Sequence, residues 1–196
     1  MENSSKMQAE NAKLIFIPYV FRENMSELSH WRDVIVPQRY ETGCIPTGYE
    51  WLIRYLGIER VELGTFQEDF DIQRVHQGMN NFASVADRIR SRYPFIDIHT
   101  ECFSQGLEKV RVMKNLIERD IPCLVSLALH GFRTREGHVI ERGWHIMPVV
   151  CISDQKVAMI HRGTEGGNQI LELLVTTVIT RHNDLEGGKD ISWIEI

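Results

Sequence analysis

One stretch of the chain, residues 38–57, joins a loop-like segment to a strongly amphipathic helical pattern. Gly43 and Pro46 mark this junction, and proline suits the first turn of a helix because its missing N–H costs no hydrogen bond there. Apolar residues then recur at i, i+4, i+7, i+8 and i+11, which predicts one buried helical stripe. These residues are Ile45, Tyr49, Leu52, Ile53 and Leu56. With Gly57 as a natural stop, the pattern predicts a buried helix that begins near Cys44.

Cys44 occupies the predicted N-terminus of this helix, where backbone N–H groups and the helix dipole favour a thiolate. Gln38, six residues earlier, offers a side-chain amide that would stabilise an oxyanion together with the Cys44 backbone N–H. His145, far downstream, offers a general base. These three residues predict a site for nucleophilic catalysis. The simpler alternatives are an inert core cysteine, a surface glutamine and a structural histidine.

The composition is that of an ordinary globular protein. A chain of 196 residues with 43% apolar residues is long enough to bury the core of one domain, which we place at residues 14–196 after a polar tail at 1–13. The net charge of −5 gives no support for a nucleic-acid partner. No apolar run reaches the roughly eighteen residues of a membrane span, and the N-terminal residues lack the apolar segment of a signal peptide. Four scattered cysteines without a C-x-x-C pair predict a reducing, cytoplasmic location.

Hydrophobic periodicity predicts most of the remaining elements. Helices are expected over residues 81–92 and 107–117, with Ser104 as a cap for the second helix. Residues 123–129 are nearly all apolar, which predicts a strand in the centre of a sheet. Further predictions are strands over 14–21, 95–99, 144–152, 157–161 and 191–196, a helix over 170–181, helical segments over 24–30 and 66–79, and loops over 130–143 and 163–168.

The strands over 144–152 and 157–161 flank a four-residue turn and predict a β-hairpin. His145 opens the first strand, and His161, sixteen residues later, ends the second. Two such positions lie close together at the open end of a hairpin. A base on one strand with an orienting group on its neighbour is the arrangement of a catalytic triad.

Gln38 and Cys44, the helix that begins at the cysteine, and Gly143-Trp144-His145 at a strand start together resemble a papain-like cysteine peptidase. The closer similarity is to the bacteriocin-processing (double-glycine leader) peptidase group, in which a Gln-x-x-x-x-x-Cys-Gly-Pro segment begins the central helix. The resemblance extends from about residue 36 to residue 196. It implies an α+β, papain-like fold in which the Cys44 helix packs on an antiparallel sheet.

The resemblance implies that Cys44 is the nucleophile, Gln38 the oxyanion-hole donor and His145 the general base. Ile45 departs from the family pattern, since glycine usually follows the cysteine. His161 stands where the family has an aspartate or asparagine that orients the base. Three possibilities follow: His161 is the orienting residue, Asp154 or Asn168 replaces it, or the domain has lost catalysis.

The implied reaction is acyl transfer through a Cys44 thioester, by a cysteine hydrolase or peptidase acting on a peptide, an isopeptide or a small amide. The alternative is an inactive papain-like domain that binds a peptide or a protein. A metal site built from His138, His145, His161 and Cys151 matches no common zinc spacing, and no G-x-S-x-G motif of a serine hydrolase occurs. We therefore expect no metal, no cofactor, and neither nucleic acid nor a membrane as a partner.

Overall fold

The computed structural model describes residues 13–16, 25–40, 43–70, 82–129, 144–164, 167–184 and 188–195. Within these residues five helices pack on one antiparallel sheet, so the α+β class is confirmed. The helices are α1 (Cys44–Tyr55), α2 (Phe66–Phe70), α3 (Phe82–Arg92), α4 (Gly106–Glu118) and α5 (Val175–Thr180). The strands are β1 (Lys13–Phe16), β2 (Ser26–Glu27), β3 (Asp97–Cys102), β4 (Cys123–Ala128), β5 (Trp144–Ile152), β6 (Lys156–Thr164), β7 (Gly167–Leu174) and β8 (Asp190–Glu195). None of the helices in this described part of the chain is long and apolar enough to cross a membrane.

Seven strands follow the order β1-β7-β6-β5-β4-β8-β3, and the short strand β2 pairs with β5. All of these pairings are antiparallel. Every residue of β4 is buried, as its apolar sequence predicts for a central strand. The predicted sheet of residues 123–129, 144–152, 157–161 and the C-terminal strand is therefore confirmed.

Helix α1 begins at Cys44 and is followed by Gly57 with a φ of +63°, as its sequence predicts. Ile45, Tyr49, Leu52 and Ile53 of the apolar stripe are fully buried. Gly48 faces the central strand, since a Cβ added there would lie 2.9 Å from the Leu124 Cδ1 atom. The helix therefore rests closely on β4.

The predicted helix over residues 170–181 is wrong in its first half. Residues Gly167–Leu174 form β7, and the α-helix comprises only Val175–Thr180. The reason is tertiary, because β7 pairs with β6 from Lys156↔Leu174 to Thr164↔Gly167, and such pairing overrides local apolar spacing. The predicted loop over 163–168 is also wrong, since both strands extend into it.

Smaller corrections concern the ends of elements. Ser104 does not cap α4, whose N-cap is Gln105 without a side-chain hydrogen bond. Lys13 belongs to β1 and not to the tail, and the segment over 24–30 contains β2 where a helical turn was expected. The helix over 81–92 is confirmed as α3. The predicted loop over 130–143, with His138, lies outside the described residues, as do most of the tail and part of the segment over 66–79.

Candidate active site

A small cavity of about 20 Å³ lies between α1, the ends of β5 and β6, and the segment 36–38. This volume accommodates about one water molecule. Gln38, Cys44 and His161 all line the cavity, whereas His145 is absent from the described residues that do so. The other lining residues are Val36, Thr47, Gly48, Trp51, Ile146, Pro148, Ile160, Arg162 and Gly163. The structure thus brings together three of the four predicted site residues around one space.

Cys44 is the first residue of α1 and is half-buried. The residue before it, the N-cap Gly43, has no side chain that could accept hydrogen bonds from the backbone N–H groups of the first turn. These N–H groups and the positive end of the helix dipole favour a negative charge at this position. The local environment is therefore suited to a nucleophilic sulfur.

The structure describes all four cysteines, and none of them forms a disulfide bond. Cys123 and Cys151 are buried in the sheet, and burial raises the pKa of each thiol to about 12. Cys102 is exposed at the end of the edge strand β3. The expectation that Cys44 is the only reactive thiol stays a prediction, with Cys102 as its accessible competitor.

Gln38 lies in a segment that is pressed against β6. Its neighbour Pro37 forms a parallel bridge with Gly163, and a Cβ added to Gly163 would lie 2.3 Å from the Val36 carbonyl oxygen. Only glycine at position 163 permits this approach. The Gln38 Nε2 donates a hydrogen bond to the Tyr40 carbonyl oxygen at 2.6 Å, so its amide is held close to the start of α1.

Strands β5 and β6 separate at the end that faces the cavity. Their pairing ends at Val149 and Met159, although β5 continues to Trp144 and β6 to Thr164. Pro148 has no N–H to offer a neighbouring strand. The pairing of β6 with β7 also shifts register on either side of His161. Such bulges redirect side chains and are frequent beside active sites.

His145 and His161 meet across this opening with ring centroids 5.0 Å apart and an angle of 70° between the rings. The His145 Nε2 donates a hydrogen bond to the backbone carbonyl oxygen of His161 at 2.9 Å. A neutral His145 is therefore protonated at Nε2, and its Nδ1 is left as an acceptor. One of the three possibilities was that the His161 side chain orients His145, but the group that accepts the His145 Nε2–H is the His161 backbone carbonyl.

The His161 ring has a different environment. Its Nδ1 is buried and has no hydrogen-bond partner within the described residues. Successive side chains of a strand point to opposite faces. Ile146 and Pro148 of β5 line the cavity, so His145 lies on the other face of the strand. Of the two histidines, His161 is the one found among the described residues that line the cavity with Cys44, and its ring contacts that of His145.

The surroundings of both histidines favour the neutral form of the ring. Burial lowers the pKa of His145, and the Arg162 guanidinium lowers it further. Burial lowers the pKa of His161 to about 4, with smaller contributions from His145 and Arg162. Within the described residues no carboxylate contacts either ring. Among the described residues, the His161 carbonyl favours an imidazolium, since its hydrogen bond raises the pKa of His145, but burial has the larger and opposite effect.

In the part of the chain that the structure describes, the alternative orienting residues bond to groups other than the two histidines. Asp154 lies in the turn between β5 and β6 and forms an ion pair with Lys114 at 2.5 Å. Asn168 is buried, and its Nδ2 donates to the Val34 carbonyl oxygen at 3.0 Å. Among the side chains that the structure describes, no group of three or more His, Cys, Asp or Glu could hold a metal ion.

The sequence analysis missed two buried polar residues beside the site, Glu50 in α1 and Gln67 in α2. Glu50 sits between the buried Tyr49 and Trp51 and precedes Arg54 by four residues, with which it forms an ion pair at 2.7 Å. An acidic residue between two buried aromatic residues is the one sequence signal that could have revealed this network. Gln67 carries no such signal.

Neither a protein-family model nor a curated protein matches this chain. The functional assignment therefore depends on the geometry of the site and on its chemistry.

Proposed function

We propose that the protein is a cysteine hydrolase that cleaves a peptide, isopeptide or small amide bond through a thioester on Cys44. The supporting observation is that Cys44, at the N-terminus of α1, lines one cavity with Gln38 and His161. A nucleophile, an amide donor and an imidazole are the groups that acyl transfer requires. A papain-like fold is part of the same proposal.

The reaction begins when an imidazole takes the Cys44 proton and the sulfur attacks the substrate carbonyl carbon. The oxyanion that forms accepts hydrogen bonds from the Gln38 amide and the Cys44 backbone N–H. Collapse breaks the carbon–nitrogen bond, and the imidazolium gives its proton to the leaving amine. Water then attacks the thioester, the imidazole takes a proton from it, and the carboxylic acid and the Cys44 thiol are released.

We assign proton transfer to His161 and a positioning role to His145, which reverses the assignment that the family resemblance implies. His161 lines the cavity, and its Nδ1 makes no hydrogen bond within the described residues. His145 holds the backbone of His161 through its Nε2–H. The bulge at His161 is the local feature that accounts for this exchange of roles.

A second candidate is a domain that binds a peptide or a protein without turnover. The observation in its favour is electrostatic, because burial lowers the pKa of both histidines and the positively charged Arg162 lies nearby. A neutral imidazole pair stabilises a thiolate less than an imidazolium does. Binding would still use the same cavity and its mouth.

Alkylation and turnover separate the two candidates. With iodoacetamide at pH 7.5, we expect peptide mapping to find Cys44 modified before Cys102. With a panel of fluorogenic peptide amides, we expect turnover that is lost in Cys44→Ala and retained in Cys102→Ala. Preferential modification of Cys102, or turnover that survives Cys44→Ala, would contradict the hydrolase proposal. Peptide binding without turnover would favour the binding domain.

The histidine assignment has its own test. Loss of a general base costs on the order of 10²–10⁴-fold in rate, so His161→Ala should show a loss of this size in kcat. His145→Ala removes the hydrogen bond to the His161 carbonyl and the contact between the two rings, but not the proposed base, and should cost less. The opposite ranking of the two variants would restore His145 as the base.

A further inference from the structure

Gln67 is 1% exposed, and its side-chain amide uses all of its hydrogen-bonding capacity. Its Nε2 donates to the Pro37 carbonyl oxygen at 3.0 Å and to Glu50 Oε2 at 2.8 Å. Its Oε1 accepts from the Arg39 backbone N–H at 2.9 Å and from the Thr47 hydroxyl at 3.0 Å. One buried amide thus connects the segment before α1 with two residues of α1.

The contacts of Gln67 surround Gln38 on both sides. Pro37 and Arg39 are its immediate neighbours in the chain, so their hydrogen bonds fix the backbone from which the Gln38 side chain extends. The Arg39 Nη1 also donates to the Gly64 carbonyl oxygen at 2.8 Å. This hydrogen bond is a second link between the segment before α1 and the part of the chain around α2. Thr47 lines the cavity one turn after Cys44.

Glu50 completes this network from within α1. It is 1% exposed, and its Oε1 accepts hydrogen bonds from Arg54 Nε at 2.9 Å and Nη2 at 2.7 Å. Its Oε2 faces the Gln67 amide. A buried carboxylate needs hydrogen-bond donors as partners. Because Glu50 Oε2 can only accept, the Gln67 amide turns its nitrogen toward Glu50 and its oxygen toward Arg39 and Thr47.

We infer that Gln67 is a positioning residue that holds the Gln38 amide in register with the Cys44 backbone N–H. The inference rests on the hydrolase function proposed above, because it assigns to Gln38 the role of oxyanion donor. Donors in an oxyanion hole act only when they are preorganised, so a displacement of Gln38 should resemble its removal. Gln67 itself touches neither the substrate nor the reacting atoms.

The side chain at position 67 must offer two donors and two acceptors together. Gln67→Leu keeps an approximately similar volume but leaves Glu50 Oε2, the Pro37 carbonyl and the Arg39 N–H without this partner. Gln67→Glu retains the acceptors for Arg39 and Thr47 but places a second carboxyl group against Glu50, and ionisation of both groups is disfavoured.

A double-mutant cycle tests the proposal. We expect Gln67→Leu and Gln38→Ala each to lower kcat by about 10²-fold with little change in KM. The double variant should be about as active as Gln38→Ala alone, because both changes remove the same interaction. If the kcat of the double variant instead falls by the product of the two single losses, the inference is overturned. Tyr49→Phe is the matched control, since it removes a buried hydrogen bond of α1 to Ser192 Oγ, and its effect should multiply with that of Gln38→Ala.

Hydrogen exchange of the Arg39 amide provides a readout that does not depend on turnover. The Arg39 N–H bonds to Gln67 Oε1, so Gln67→Leu should accelerate its exchange by tenfold or more, approximately the effect of losing one hydrogen bond. Tyr49→Phe should leave it unchanged. Equal exchange rates in Gln67→Leu and wild type would overturn the inference even if the enzyme is active.

Failure of the proposed function gives a different result. If wild type hydrolyses no amide, the catalytic role of Gln67 falls with the hydrolase proposal, while accelerated exchange in Gln67→Leu would still show that Gln67 holds the segment. If Gln67→Leu does not fold, Gln67→Glu replaces it in both measurements. Its Arg39 exchange should then increase with pH more steeply than in wild type, as the added carboxyl group ionises beside Glu50, and an exchange rate that follows the wild-type pH dependence would overturn the inference.

Discussion

His161 contributes two different groups to the site. Its backbone carbonyl accepts the His145 Nε2–H, and its ring contacts the His145 ring with a buried Nδ1, in a residue that lines the cavity. The carbonyl remains after any substitution of the side chain, so variants at this position change the imidazole without removing the partner of His145. A peptide carbonyl carries no full charge, unlike the carboxylate of a Cys-His-Asp triad, so its hydrogen bond raises the pKa of His145 without outweighing the effect of burial.

Arg162 is the residue at which the charge of the site can be altered. Burial lowers the pKa of His145 and His161, and the Arg162 guanidinium lowers both further. Arg162→Gln should therefore shift the His161 pKa upward from about 4 toward its ordinary value. NMR titration of the histidine Cε1–H signals measures this directly. Arg119→Gln, an exposed arginine just beyond α4, is the control, and an identical His161 titration in Arg162→Gln and wild type would contradict the prediction.

At the scale of elements, the site depends on contact between the segment 36–38 and β6. Gly163 permits this contact, because an added Cβ would lie 2.3 Å from the oxygen and 2.7 Å from the carbon of the Val36 carbonyl group. Backbone atoms cannot rotate away as a flexible side chain would. The position of the segment that carries Gln38 thus depends on Gly163, which has no side chain.

Gly163→Ala should displace this segment. Overpacking of this kind typically costs about 1–3 kcal/mol, and we expect a loss of this size in the free energy of unfolding, with slower turnover because Gln38 moves. Urea denaturation and the peptide-amide assay measure the two effects. Gly64→Ala is the control, since the nearest atom to its added Cβ is the end of the Glu62 side chain at 3.3 Å. Equal stability of the two variants would disprove the close contact.

The elements that the sequence predicts correctly are those whose signal is local. Helix α1 follows from its own apolar stripe and the glycine after it, and β4 from an unbroken apolar run. In contrast, β7 is a strand because it pairs with β6, a preference that the spacing within 170–181 does not contain. Long-range pairing is thus the information that local periodicity lacks.

The candidate site shows the same limit. Cys44 and Gln38 were predictable from their spacing around one helix start, and the proximity of His145 and His161 from the hairpin. The bulge at His161 could not be predicted from the sequence, because it arises from the register between β6 and β7. Gln67 was also unpredictable, since its partners Pro37 and Arg39 lie thirty and twenty-eight residues away in the chain.

At the scale of the whole molecule, one lysine ties three parts of the fold together. Lys109 of α4 is 0% exposed, and its Nζ donates to the Ser126 carbonyl oxygen of β4 at 2.5 Å and to the Gly188 carbonyl oxygen at 2.6 Å. Gly188 lies two residues before β8. The ammonium group of Lys109 therefore connects α4 with β4 and with the segment that leads into β8. Burial lowers its pKa to about 7, which the Asp190 carboxylate partly opposes.

This pKa makes the stability of the fold depend on pH. The unfolded lysine keeps its proton up to about pH 10.4, whereas the folded one loses it near pH 7, so the unfolded state binds more protons between these values. The free energy of unfolding should therefore rise with pH above 7, by at most roughly 1.4 kcal/mol for each pH unit. The raised pKa values of Cys123 and Cys151 act in the opposite direction above about pH 8.5, which limits the informative range to pH 7–8.5.

Lys109→Met should lower stability at pH 7 to 8.5 by removing two hydrogen bonds, and it should also flatten the rise with pH. Urea denaturation at several pH values in this range gives both quantities. Lys114→Met is the matched control, because Lys114 lies on the same helix but pairs with Asp154 at the surface, so its variant should keep the wild-type slope. If Lys109→Met and wild type gain stability equally between pH 7 and 8.5, the buried lysine does not titrate there, and the two carbonyl groups must hold it as an ammonium ion throughout.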